Sequence, residues 1–204
     1  MKQVEKKHPD PERANTRRKQ VLDAAESCFS RRGFHGASMA EISKAAGMSA
    51  GHIYNYFDSK DAIIAAFVIQ KMERVTNMIQ DLAQRDDPLQ AVVDNASEHV
   101  MEKLDPKTWV MPLEIFAEAS RNPVIADMLH CADQRSRQLL LSIIRDARIK
   151  RGLPADEEML EGRLNTMIAM YQGLPVRLVH NPEVKAEPLI AGFRIVLTAL
   201  LLGE

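Results

Sequence analysis

A short stretch near the front of the chain concentrates side chains that can bind phosphate groups and the edges of bases. Tyr54, Asn55 and Lys60 offer a hydroxyl, an amide and an ammonium group as hydrogen-bond donors. Shortly before them stand Ser49, Ala50, Gly51 and His52. Small side chains let the main chain approach a ligand closely, and free amides at a helix N-terminus suit phosphate oxygens. This chemistry suits a nucleic acid, provided that the fold brings these residues together.

Two short helices joined by a glycine turn must position these side chains. The run Ser38-Met39-Ala40-Glu41 predicts a capping box, because the serine hydroxyl can serve the Glu41 amide while Glu41 reaches back. Gly47 supplies the tight turn, and Ser49 caps a second helix that we expect to reach about Tyr56. This pattern is typical of a helix-turn-helix, whose second helix enters the major groove with its N-terminal residues at the base edges.

The rest of the chain also predicts helices, and no segment has the alternation of a strand. The first helix is expected to begin between Ala14 and Arg17 and to end at Gly33. Turn residues at 86–88, 105–106, 122–123, 152–154 and 181–182 separate the later helices, and Pro112 falls in or near a first turn. We therefore expect an all-α fold of about nine helices.

Composition limits the class of protein. The chain has 204 residues, 46% apolar and 27% charged, which suits one or two globular domains. No apolar stretch approaches the roughly 20 residues of a membrane span, and no secretory signal is recognisable, so a cytoplasmic protein is expected. Residues 1–60 carry 11 Lys and Arg against 7 Asp and Glu, whereas residues 61–204 carry 16 against 21. A basic N-terminal part followed by an acidic remainder favours a DNA-binding N-terminal domain.

Catalytic and metal-binding patterns are poorly represented. The sequence has six histidines and contains no GxSxG, P-loop or dinucleotide fingerprint. Asp127 and His130 form one Asp-x-x-His, which is better interpreted as a surface pair, and Cys28 and Cys131 are too far apart for metal-ligand spacing. We expect no enzyme activity, no cofactor and no metal.

The residues from Ser38 to Asp61 read SMAEISKAAGMSAGHIYNYFDSKD. This run resembles the N-terminal domain of TetR-family transcriptional regulators in its order of glycine turn, Tyr-x-x-Phe and Ser-Lys pair. Residues 24–29, followed by Gly33-Phe34, resemble that family's first helix, so the match covers roughly residues 14–74. The resemblance implies a flexible basic arm at 1–13, a helix-turn-helix domain at 14–60 and a ligand-binding and dimerisation domain at 61–204.

The resemblance also implies roles for individual residues. Ser38 and Met39 would begin the second helix, with the Ser38 hydroxyl on a phosphate. The base-reading and groove-approach positions match Ser49, Ala50, Gly51 and His52, and the phosphate-clamping positions match Tyr54, Asn55 and Lys60. Three residues depart from the commoner pattern: Ser38 replaces Thr, Ser43 replaces Ala, and His52 replaces a small hydroxyl residue. The His52 departure bears on which base is read.

Simpler interpretations stand beside these roles. Tyr54 could belong partly to the core, and Lys60 could be a solvated charge. The basic residues of the first helix could reach phosphates or the minor groove, or could form a solvated helix face; they are Arg13, Arg17, Arg18 and Lys19.

For the C-terminal part, the family resemblance implies a homodimer whose last two helices pack as a four-helix bundle. Such a dimer would place two recognition helices roughly 34–36 Å apart on a palindromic operator. It would repress transcription by occlusion until an unknown small-molecule effector favoured another spacing. The alternative is a helical small-molecule or lipid carrier that keeps a vestigial helix-turn-helix.

Candidate pocket residues are apolar and adaptable, since methionine adjusts its shape to a ligand. They are Trp109, Met111, Phe116, Met128, Met167, Met170 and Tyr171. Possible polar anchors are His99, Glu114 and Gln138. Methionine at helical spacing is also ordinary core, so each of these positions has a purely structural alternative.

Overall fold

The protein is described by a computed structural model that covers residues 11–203, except the side chains at 11, 106 and 107. Ten α-helices and no strand lie in this range, which confirms the all-α prediction. The helices are α1 Pro11–Gly36, α2 Met39–Ala45, α3 Ala50–Ile53, α4 Lys60–Ala83, α5 Pro88–Asp94, α6 Ala96–Leu104, α7 Pro106–Ala119, α8 Pro123–Lys150, α9 Glu157–His180 and α10 Ala186–Leu202. None of the described helices combines the length and apolarity that crossing a membrane requires.

The chain divides into two compact units, and the boundary between Ile69 and Gln70 falls inside α4. The first unit packs α1, α2, α3 and the start of α4 around three aromatic rings. Phe29 and Phe34 meet edge to face with centroids 4.8 Å apart, and Phe67 of α4 lies 6.2 and 6.4 Å from them. All three rings are buried, so this cluster fixes α4 to α1.

Gly33 interrupts α1 near the position where the sequence predicts its end. Its φ of 68° and ψ of 173° are not helical, and a short helical segment follows to Gly36. A residue with a Cβ rarely adopts this φ, whereas glycine does so without strain. The break turns Phe34 into the aromatic cluster, where it is 1% exposed.

The second unit contains the end of α4 and all of α5 to α10. Its larger core joins α5, α8, α9 and α10, with Leu89, Ile144, Leu160 and Leu197 among the buried residues. A smaller cluster of Val100, Leu174 and Phe193 joins α6, α9 and α10. These helices therefore pack as one layered bundle around apolar stripes.

The predicted helix boundaries hold at the strongest signals. Asp87 and Asn122 cap α5 and α8, each with proline in the first turn. The apolar pattern predicts one helix from 88 to 104, but the structure divides this segment into α5 and α6 at Asn95, where ψ is 0°. The described residues therefore form ten helices where about nine were expected. The sequence gives no sign of the break, because the apolar pattern continues across it.

Two helix ends in the N-terminal part, the start of α1 and the end of α3, also differ from the expectation. α1 begins at Pro11, earlier than Ala14, and the sequence signal for this is proline itself, which is favoured in a first turn. Of the arm expected at 1–13, residues 11–13 therefore belong to α1, and residues 1–10 lie outside the described range. α3 ends at Ile53 instead of Tyr56, because the amides of Asn55 and Tyr56 bond to carbonyls three residues back, as in a tightened last turn.

Candidate nucleic-acid interface

The N-terminus of α2 carries the predicted capping box. The Ser38 hydroxyl accepts a hydrogen bond from the Glu41 amide at 3.2 Å, and a Glu41 carboxylate oxygen accepts from the Ser38 amide at 3.1 Å. The hydrogen bond from the Ser38 amide is the main cause that holds the pKa of Glu41 below its usual value. Arg32 adds an ion pair to the same carboxylate at 3.1 Å. Ser38 itself is exposed, so its hydroxyl lies on the surface at the helix N-terminus.

The turn between α2 and α3 depends on Gly47. Its φ is 63°, and the Met48 amide donates to the Ser43 carbonyl while the Gly47 amide donates to Lys44. This is the hydrogen-bond pattern of a Schellman ending, which satisfies the last carbonyls of α2. Ser43, the departure from alanine, is buried, and its hydroxyl donates to the Met39 carbonyl at 2.8 Å. The turn therefore accommodates this serine without an unsatisfied group.

The recognition segment, residues 49–55, separates cleanly into a buried and an exposed side. Ile53 is fully buried and Phe57, just beyond the segment, is 3% exposed, so both belong to the core. All the other residues of the segment are exposed: Ser49, Ala50, Gly51, His52, Tyr54 and Asn55. Ser49 caps α3 by accepting from the His52 amide at 3.3 Å. These six residues are therefore accessible to a ligand.

Gly51 has no structural requirement within the single chain. A Cβ built on it would meet no atom within 4 Å, and its backbone conformation is helical. Glycine in a helix costs about 1 kcal/mol relative to alanine. The absence of a side chain at this position therefore suits close approach by a ligand better than it suits the fold.

His52 and Tyr56 form a pair on this surface. The Tyr56 hydroxyl lies 3.3 Å from His52 Nε2, and the ring centroids are 5.5 Å apart. The residues are four apart, and the turn that continues from the end of α3 brings their side chains together. This pair was not predicted from the sequence, although the spacing of four residues could have indicated it.

The phosphate-clamping candidates occupy different surroundings. Tyr54 is 50% exposed and Asn55 is exposed, so both side chains are accessible. Lys60, the first residue of α4, donates to the carbonyls of His35 and Ala37 at 3.3 and 3.2 Å. An ammonium group has three donors, so one remains beyond these two bonds. Lys60 therefore also fixes the main chain directly before Ser38.

The basic residues of α1 do not act as one group. Arg18 donates to the Tyr56 carbonyl at 2.6 Å, and its guanidinium lies 4.3 Å from the centre of the Phe57 ring. Arg17 is half-buried and donates to Gln20, whereas Arg13 and Lys19 are exposed. Arg18 therefore packs the residues directly after the recognition segment onto α1.

The predicted pocket residues lie in the second unit with unequal burial. Met111 and Met167 are buried, and Met167 belongs to the larger core. Trp109, Met128, Met170 and Tyr171 are half-buried. Phe116 is 44% exposed, and of the polar candidates Gln138 is exposed while Glu114 is half-buried.

Three of these candidates stand out by their polar atoms. The His99 ring lies 6.1 Å from Tyr171, with Nδ1 3.0 Å from the Asn95 carbonyl and Nε2 3.4 Å from the Met78 sulfur. Burial raises the pKa of Tyr171 to about 12. The Trp109 Nε1 is buried and meets no hydrogen-bond partner in the described part of the chain. An open groove of about 530 Å³ lies elsewhere, along α1 and the end of α2, and contains none of these residues.

Comparison with known proteins agrees with this geometry. Residues 21–67 match "Bacterial regulatory proteins, tetR family", and residues 85–202 match "BetI-type transcriptional repressor, C-terminal". The transcriptional regulator UidR of Escherichia coli strain K12 is 34% identical over 149 residues, which cover 70% of this chain and 72% of UidR.

Solved structures extend the similarity over nearly the whole chain. GusR of Salmonella enterica has a TM-score of 0.71 at 29% identity and covers 92% of this chain and 96% of its own. A regulator from Saccharomonospora viridis, solved in complex with choline, shares the fold with a TM-score of 0.71 at 20% identity, covering 92% and 96%. The chain belongs to the TetR family of bacterial transcriptional regulators, which bind DNA and are not enzymes.

Proposed function

We propose that the chain is a homodimeric repressor that binds a palindromic operator through the recognition segment and leaves it when a small molecule binds. The observation that carries this proposal is the exposure of residues 49–52, 54 and 55 around a buried Ile53. A helix held by its core side, with small and hydrogen-bonding residues outward, suits insertion into a major groove. The proposed location is the cytoplasm.

Within this proposal, the exposed residues divide into two roles. Ser49, Ala50, Gly51 and His52 would approach the bases. The phosphate contacts would come from Ser38 and the start of α2 at Met39, and from Tyr54, Asn55 and the remaining donor of Lys60. Phosphate contacts fix the register on the duplex, while base contacts give the sequence preference.

The homodimer is supported by the outer faces of the last two helices. On α9 an exposed stripe at helical spacing contains Gly162, Thr166, Ala169, Gly173 and Val176. On α10 a matching stripe contains Pro188, Ala191, Ile195, Thr198 and Leu202, of which only Leu202 is half-buried. A Cβ on Gly162, Gly173 or Gly192 would meet nothing within 4 Å. Glycines that the single chain does not need allow close approach of a second helix pair.

The effector site is proposed in the second unit, around the half-buried His99, Met170 and Tyr171. Aromatic and methionine side chains suit an apolar ligand. Trp109 is a separate candidate for a polar contact, because its Nε1 is buried without a partner in the described part of the chain. The regulator from Saccharomonospora viridis binds choline in its own structure, which supports a small-molecule site in this fold.

Selection of bound sequences from random DNA, followed by titration of the recovered site, tests the proposal. We expect a palindrome whose affinity falls steeply with salt, because each phosphate contact releases counterions. Tyr54→Ala should weaken binding, whereas Arg85→Ala removes an exposed charge outside the helix-turn-helix and should leave affinity unchanged. A carrier with a vestigial helix-turn-helix would yield no palindrome, and Tyr54→Ala binding at full strength would contradict the assigned contact.

A further inference from the structure

The pair of His52 and Tyr56 has a chemical consequence for base recognition. The Tyr56 hydroxyl meets Nε2 of His52, and no described residue bonds to Nδ1 on the other side of the ring. The His52 main chain is held separately, since its amide donates to the carbonyl and hydroxyl of Ser49. One ring nitrogen is therefore engaged by the protein and the other is free for a ligand.

A neutral imidazole carries one proton on its two nitrogens, so a partner of one nitrogen decides the character of the other. A phenol is a good hydrogen-bond donor and an unprotonated imidazole nitrogen is a good acceptor. If the Tyr56 hydroxyl donates to Nε2, the proton resides on Nδ1, and Nδ1 then acts as a donor toward a ligand.

We propose that Tyr56 is a positioning residue that fixes the His52 tautomer and thereby selects an acceptor-bearing base at one operator position. In the major groove, guanine offers N7 and O6, adenine offers N7, and thymine offers O4, whereas cytosine offers an amino donor. His52 therefore disfavours cytosine at the base edge it meets. This inference rests on the proposed function, because it requires the recognition segment to lie in the groove.

Selection from random DNA with matched variants tests base preference. His52→Ala identifies the operator position that the side chain reads. Tyr56→Phe keeps the ring and removes only the hydroxyl, so it should relax preference at that same position by about three- to tenfold and at no other. Tyr54→Phe removes the exposed hydroxyl that is assigned to a phosphate, so it should weaken binding at every sequence and leave that base preference unchanged. In the His52→Ala background, Tyr56→Phe should have no further effect on preference.

Side-chain nitrogen shifts measured by NMR on the free protein test the tautomer directly, at mildly alkaline pH where imidazoles are ordinarily neutral. His52→Ala assigns the signal among the six histidines. The wild type should show the Nδ1–H form, and Tyr56→Phe should show a mixture.

Because the NMR measurement needs no DNA, it separates failure of this inference from failure of the proposed function. An Nε2–H form in the wild type overturns the inference. Uniform weakening by Tyr56→Phe at every sequence, with the tautomer and preference unchanged, makes Tyr56 only a phosphate ligand and also overturns it. The inference is also overturned if Tyr56→Phe changes the His52 tautomer but leaves the base preference unchanged.

Discussion

Several cations in this chain bind main-chain carbonyls near helix ends. Arg18 meets the carbonyl of Tyr56, and Lys60 meets the carbonyls at the end of α1. Arg148 is fully buried and donates to the carbonyls of Pro154, Leu201 and Gly203 at 2.7 to 2.9 Å. Positive charge at a helix C-terminus is favourable because the last carbonyls there lack partners.

Replacing Arg148 tests how much this arrangement stabilises the second unit. Arg148→Met should lower the free energy of unfolding by about 3 kcal/mol, because the carbonyls of Pro154 and Leu201 lose the donors that Arg148 supplies, while the Gly203 carbonyl keeps its bond from Arg163. Chemical denaturation followed by circular dichroism measures the change. Arg145→Met on the same helix is the control, since the Arg145 side chain is 44% exposed and its loss should cost less than about 0.5 kcal/mol. Equal effects of the two substitutions would contradict this role for Arg148.

Tyr171 gives the fold a dependence on alkaline pH. Burial raises the pKa of its phenol from 10.0 to about 12, so the unfolded chain releases this proton first. The corresponding stability is present below pH 10 and is lost as the pH rises through about 12. The free energy of unfolding of Tyr171→Phe should therefore fall less steeply than that of the wild type over this interval. Parallel curves for the two proteins would show that the phenol is not desolvated.

At the scale of elements, helix ends explain most of the agreement between sequence and structure. Asp87 caps α5 by accepting from the Gln90 amide, and it pairs with Arg151 at the end of α8. Partial burial alone would raise the pKa of Asp87, but these two hydrogen bonds hold it below its usual value. Such caps lie within three residues of their partners, so a single sequence reveals them.

The two glycines of the helix-turn-helix should respond differently to alanine. Gly47→Ala should destabilise the first unit by about 1 kcal/mol, because φ of 63° strains any residue with a Cβ although space is available. Gly51→Ala should leave stability unchanged or slightly raised, since its conformation is helical, but should weaken operator binding by adding a methyl group at the groove. Thermal unfolding and DNA titration of both variants separate the effects. If Gly51→Ala bound the operator at full affinity, DNA would not approach the main chain closely at Gly51.

The sequence predicted features whose causes are local and missed those whose causes are distant. The capping box at Ser38 and the turn at Gly47 depend on neighbours within a few residues. The bonds of Lys60 to Ala37 and of Arg148 to Gly203 span 23 and 55 residues, and no periodicity encodes them. The outward positions of residues 49–52 were predicted from the family resemblance, and their exposure follows from the core position of Ile53.

At the scale of the whole molecule, charge and symmetry work together in the proposed function. Residues 1–60 carry an excess of four positive charges, and residues 61–204 an excess of five negative ones. The acidic part is repelled by a phosphate backbone, so binding energy is concentrated in the basic part. The basic part of one copy makes few contacts with DNA. A second copy on the same duplex therefore contributes strongly to affinity, because the first copy raises its effective concentration at the DNA.

Breaking the proposed dimer should consequently abolish tight binding without unfolding the chain. Ile195 is 72% exposed on the outer stripe of α10, so Ile195→Glu should fold normally but place a charge in the interface. We expect a monomer in analytical ultracentrifugation and a large loss of affinity for the palindrome, with residual binding to a half-site. Val124→Glu introduces the same charge at a 65% exposed position on α8 and should remain dimeric. If Ile195→Glu sediments as a dimer and binds at full strength, the copies meet through another surface, because a buried unpaired carboxylate could not be tolerated between the two stripes.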